Sequence, residues 1–114
     1  MAFPGTYNFN YYRGDTLQFT ITPKDTNGGA FSLTGYTAAF TVANQRGTGA
    51  TQYTGTTSIN TTTNTITCTL PAGTGRNLVG GSTYVYDVQI TNGTLIYTLL
   101  TGNIASTDDV TGAV

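Results

Sequence analysis

The chain has 114 residues, enough for one domain with a single core and too few for two. It has no His, no Glu, no Trp and a single Cys, it is rich in Thr (27) and Gly (15), and only 8% of it is charged, about a third of the usual share. A helix-rich fold is excluded because Thr and Gly are poor helix formers; His-dependent nucleophilic pairs, an internal disulfide and a Cys-rich zinc site are excluded by the missing side chains.

Net charge is −1, and the four basic residues, Arg13, Lys24, Arg46 and Arg76, are scattered singly. They make no electrostatic footprint for nucleic acid or an anionic membrane. No apolar run approaches the ~20 residues of a membrane span. The opening residues 1–9 lack the basic flank and apolar stretch of a secretory signal, so synthesis and folding in a cytoplasm are expected.

Along the chain the dominant signal is alternation of period two. Tyr7, Phe9 and Tyr11 share one face of an opening strand. Arg13-Gly14-Asp15 turns the chain into a second strand, where Leu17, Phe19 and Ile21 face inward until Pro23 ends it. After a loop at residues 24–29 and a turn at Leu33-Thr34-Gly35, a strand over 36–43 puts Ala38, Phe40 and Val42 inward. Residues 45–64 carry only Tyr53 and Ile59 as large apolar groups and read as a loose hairpin or an extended polar edge. Ile66, Cys68 and Leu70 share a face before Pro71, and at most one helical turn is expected near residues 72–78. The strand over 83–91 is the densest, with Tyr84, Tyr86, Val88 and Ile90 on one face. Asn92-Gly93 then predicts a hairpin into residues 94–100, both central positions calling for φ > 0. The expected fold is all-β: a single immunoglobulin-like β-sandwich of about seven antiparallel strands over residues 7–104. Residues 1–6 are expected as an N-terminal arm and 105–114 as a C-terminal tail, neither needed by the domain. Periodicity alone leaves closure into a barrel open.

The order of Arg13-Gly14-Asp15-Thr16-Leu17, then Phe31-Ser32-Leu33-Thr34-Gly35-Tyr36, then Tyr84-Val85-Tyr86-Asp87-Val88, then Gly102-Asn103-Ile104 resembles the small immunoglobulin-like structural proteins of tailed bacteriophages. It is similar to the domain at the N-terminus of some phage baseplate and tail proteins. The resemblance implies a non-enzymatic virion protein, on the capsid, tail or baseplate, whose partners are other virion structural proteins present in many copies. It implies no cofactor.

Bottom-up, little in the chain invites chemistry. Arg13-Gly14-Asp15 spells an adhesion tripeptide but sits where a turn is needed. Asp108-Asp109 with Asp15 or Asp25 lacks the alternating acids of a Ca²⁺ loop and reads as a solvated pair. Cys68 reads as a small buried apolar group, and Asp87, mid-strand, as an acid bonded to a neighbouring loop. Gly28-Gly29 and Gly80-Gly81 lack the flanks of phosphate loops. The candidate contact residues are therefore Phe3 and Pro4 in the arm, Tyr12 and Tyr53 as exposed rings, and Asp108 and Asp109 in the tail, with Tyr97 a similar case. A Tyr-lined surface that binds a carbohydrate or receptor is the rival expectation.

Overall fold

The structure, a computed structural model, describes residues 5–110. It is all-β, with two sheets and one short helical turn. In chain order the elements are β1 (Gly5–Thr6), β2 (Phe9–Tyr12), β3 (Leu17–Ile21), β4 (Thr37–Ala43), β5 (Gln52–Thr54), β6 (Thr56–Asn60), β7 (Thr65–Leu70), α1 (Ala72–Gly75), β8 (Thr83–Asn92) and β9 (Leu95–Thr107). The larger sheet runs β1-β9-β8-β4-β5, with β2 also on β9; the smaller runs β3-β7-β6.

The alternation seen in the sequence is the alternation of burial. Phe40 and Val42 on β4, Ile66, Cys68 and Leu70 on β7, and Tyr84, Tyr86, Val88 and Ile90 on β8 all lie in the core. Rings bridge the sheets. Phe19 of β3 stands 5.2 Å from Phe40 and 6.2 Å from Tyr86, and Phe40 and Tyr86 are 6.0 Å apart, all in edge-on geometry, an arrangement that sets ring edges against ring faces. Gly35, at φ 84°, closes the turn in which the Tyr36 N–H bonds to the Leu33 carbonyl, and Leu33 drops fully into the core. At the start of β8 the Tyr84 hydroxyl accepts the Val79 N–H at 2.8 Å, tying the preceding loop to the strand.

Three expectations need correction. Among the described residues there are nine strands rather than about seven, and β1 and β2 pair with β9 in parallel, in one register from Gly5↔Leu100 to Tyr12↔Thr107. The last strand runs to Thr107, so Gly5, Thr6 and residues 105–107 belong to the sheet and not to free arms. The β8–β9 hairpin forms, but Asn92 pairs with Leu95, so its central residues are Gly93 and Thr94. Only Gly93 has positive φ, the pattern of a type II′ turn. Of the two readings of residues 45–64, the extended edge holds and the hairpin does not: β5 pairs with β4 and β6 with β7, each as an outer strand of its sheet, and the chain changes sheets at Gly55.

That crossing fixes the identity of residue 55. The Gly55 N–H bonds to the Phe40 carbonyl at 2.9 Å, and a Cβ there would run into the Phe40 ring and come within 2.8 Å of the Thr69 carbonyl. Neither neighbour can retreat, one being a core ring and the other backbone. Gly55→Ala is expected to cost about 1–3 kcal/mol, the usual scale of overpacking. Urea unfolding checks this; a loss under about 0.5 kcal/mol would mean the crossing relaxes freely.

Candidate functional site

Of the expected contact residues that are described, Tyr12, Asp108 and Asp109 lie at one end of the β2–β9 ladder, and Tyr53 lies on β5. Phe3 and Pro4 lie outside the described residues. Tyr12, at the end of β2, is 57% exposed. Tyr53 turns inward instead, its ring edge-on to Tyr84 at 5.8 Å. Tyr97 likewise packs with Phe31 and Tyr36 at 6.2 and 6.4 Å. Tyr12, Tyr53 and Tyr97 therefore form no common ring-lined surface. Tyr7, expected inside with Phe9 and Tyr11, is 58% exposed. Its backbone carbonyl accepts the Tyr86 hydroxyl at 2.6 Å, while its ring overhangs the gap between the sheets.

The acidic pair is split in role. Asp108 is exposed and lies 3.8 Å from the Arg13 guanidinium, whereas Asp109 is largely covered and receives two N–H bonds from Arg76 at 3.1 and 3.4 Å. Reading both as a solvated pair is wrong for Asp109. The reason lies in the strands: β2 and β9 end side by side, and the Arg13 N–H bonds to the Thr107 carbonyl. The chain after Thr107 thus passes the loop after α1, where Arg76 waits. The Arg13-Gly14-Asp15 tripeptide is a closed turn, with the Asp15 N–H on the Tyr12 carbonyl, Gly14 at φ 86° and the Arg13 Nε on the Arg76 carbonyl. Asp25 spends its carboxylate on the N–H groups of Asn27 and Gly29 in its own loop. Cys68 is buried, and burial pushes its thiol up to about 12, so it is inert as a nucleophile.

Two concave features among the described residues were not foreseen. The first is a polar groove of about 260 Å³ on the outer face of the larger sheet, lined by Thr41, Gln45, Arg46, Gln52, Asp87 and Gln89. Asp87 sits mid-sheet between Thr41 and Thr101. Contrary to expectation, among the described residues no hydrogen bond reaches its carboxylate. Arg46, from the β4–β5 loop, is the charge that faces it, but its Nη2 donates to Thr101 Oγ1 at 2.8 Å and the Gly102 carbonyl at 3.4 Å. The sequence signal was Asp87 itself, an acid in the middle of an alternating strand. The second feature is an apolar slot of about 350 Å³ between the sheets, lined by Tyr7, Phe9, Phe19, Thr20, Ile21 and Leu100. Alternation named Tyr7, Phe9, Phe19 and Ile21 as core; it did not say that among the described residues no strand closes this side.

No family model matches the chain, and no curated protein matches its sequence.

Two pH effects follow. The hydrogen bond from Arg76 holds the Asp109 carboxyl below the usual carboxylate range. A lowered carboxyl pKa gives stability that is present above the ordinary value and is lost as pH falls through the folded one. The advantage of the parent over Arg76→Ala in melting midpoint should therefore shrink as pH drops from about 4 towards 2; an advantage constant with pH would remove the ion pair as its cause. Burial holds the Asp87 carboxyl above the usual range, with Arg46 pulling the other way. Here stability is lost as pH rises from the ordinary carboxylate value through the raised one. Asp87→Asn is expected to melt higher than the parent at pH 7 and equally below about pH 3. A lower midpoint at pH 7 would show that the carboxylate makes a stabilising bond.

Proposed function

We propose that the chain is an immunoglobulin-like β-sandwich serving as a non-enzymatic structural protein of a tailed-phage virion. It works through protein–protein contacts, as a capsid accessory or as a connector in the tail or baseplate. Support for the fold comes from the strand connectivity, in which β3, β7 and β6 face β9, β8, β4 and β5 across one core. It comes also from the Tyr84 hydroxyl bonded back to the loop before its strand, and from the Phe19–Phe40–Tyr86 junction where antibody domains place a disulfide and a Trp. The order of sequence motifs supports the virion reading.

The observation that carries the contact reading is the placement of exposed apolar side chains. Leu95 and Ile96, the latter 61% exposed, stand at the β8–β9 hairpin where β9 begins; Tyr12, exposed beside Thr107, stands where β9 ends, and Val79 and Val110 are exposed as well. Burying such groups is favourable, and at the hairpin, where residues 91–100 carry no charge, little must be stripped of water to do it. A molecule with an apolar patch at each end suits a position between two neighbours. In purified particles the chain should appear in stoichiometric amount by mass spectrometry. Leu95→Asp with Ile96→Asp should leave the melting midpoint near the parent's and reduce incorporation several-fold. Absence from particles sinks the virion role; normal incorporation of the variant sinks the contact at the hairpin.

The polar groove around Asp87 favours a second reading, sugar binding, because carboxylate, amide and hydroxyl groups converge there. A glycan array separates the two: sub-millimolar binding of the isolated protein to a sugar, abolished by Gln89→Ala, favours the second.

A further inference from the structure

β3 is an outer strand of the smaller sheet, with β7 on one side and no strand on the other among the described residues. Proteins blunt such edges with charge, proline, bulges or a covering element, because a row of free N–H and C=O groups is a template for another strand. Among the described residues β3 has none of these devices. Leu17–Ile21 reads LQFTI, is uncharged, and holds unbroken register with β7 over all five residues. Beside it opens the apolar slot, with the exposed Tyr7 ring on its far rim.

We propose that β3 is a self-pairing edge: two copies of the chain join their Leu17–Ile21 strands antiparallel, about a two-fold axis through Phe19, and close their apolar slots together. The proposal rests on the assembly reading above and names the partner at one of its surfaces. The register is self-complementary. Phe19 meets Phe19, Leu17 meets Ile21, and Gln18 meets Thr20, so the half-buried apolar side chains share one face of the joined strands and the exposed polar ones the other. The flanking charges choose the direction. Arg13 and Asp15 precede the strand; Lys24 and Asp25 follow it. Antiparallel pairing about Phe19 brings the Arg13 end of one copy to the Asp25 end of the other, and Asp15 towards Lys24. Parallel pairing would set each charge beside its own kind. A two-fold contact of this kind is closed and yields a dimer, not a fibre.

Sedimentation equilibrium of the full chain tests this, with melting midpoints taken on the same samples. A concentration-dependent dimer is expected. Gln18→Lys alone and Thr20→Asp alone should each weaken it by about fivefold or more, from two symmetric cross-strand positions at the usual scale. The double variant should restore it, because the introduced ammonium at position 18 then faces the introduced carboxylate at position 20 of the other copy, twice. If either single variant melts early, Gln18→Glu with Thr20→Lys asks the same question with the signs reversed. A monomer at every concentration up to millimolar, single variants that dimerise like the parent, or a double variant no better than the singles would each overturn the proposal. A monomeric chain that still enters particles would overturn self-pairing and leave the assembly role standing; a dimer absent from particles would do the reverse.

Discussion

Three rings on three strands hold the two sheets in register: Phe19 of β3, Phe40 of β4 and Tyr86 of β8. Phe19 sits in one sheet and the other two in the second, so their mutual edge-on packing is what makes two ladders into one core. Other constraints radiate from this junction. The Tyr86 hydroxyl, buried deeply enough that its pKa is pushed up to about 12, is satisfied only because the Tyr7 carbonyl comes to meet it. That bond anchors the N-terminal strand pair against β9. The Phe40 ring likewise dictates a glycine where the chain crosses between sheets, since no side chain fits between it and the Thr69 carbonyl. A residue without a side chain and two aromatic ones are thus parts of a single packing solution.

Low charge gives the surface its character. With few ions to solvate, the outer strands present hydroxyls, amides and rings, and such surfaces approach a neighbour without a large desolvation cost. The charges that do occur are used locally. Arg76 fastens the chain just past β9, Asp25 shapes a loop, and Arg46 reaches across the outer face of the larger sheet to Thr101. Asp15, Lys24, Asp87 and Asp108 make no side-chain hydrogen bond among the described residues, and of these Asp87 is the one set mid-sheet.

The inward residues of β3, β4, β7 and β8 were legible in the sequence, because a strand with one buried face must alternate and these strands do so without interruption. The β8–β9 hairpin was legible from Asn92-Gly93, though its turn lies one residue further on, because the pairing register and not the dipeptide decides which residues are central. What stayed hidden was long-range. Nothing local distinguishes a strand pairing parallel from one pairing antiparallel, so the partnership of β1 and β2 with β9 could not be read. The short pieces Gln52–Thr54 and Thr56–Asn60 are too brief to show which sheet each joins. Gly55 looked like one glycine among many until the Phe40 ring was placed against it. Of the candidate contacts, Tyr12 was rightly taken as exposed. Tyr53 and Asp109 were not, because each is covered by a residue distant in sequence, Tyr84 and Arg76.

The parallel pairing of the N-terminal strands with β9 has a mechanical consequence. The chain enters the sheet beside Leu100 and leaves it after Thr107, beside Tyr12, so its two exits point to opposite ends of one strand pair. Tension applied between those exits drags β1 and β2 one way and β9 the other along their common axis. Their cross-strand bonds, slanted and evenly spaced as in any parallel ladder, are then loaded in shear, and all must yield together. The same bonds pulled open from one end would give way in turn. Built this way, the domain resists stretch along its own length far better than peeling.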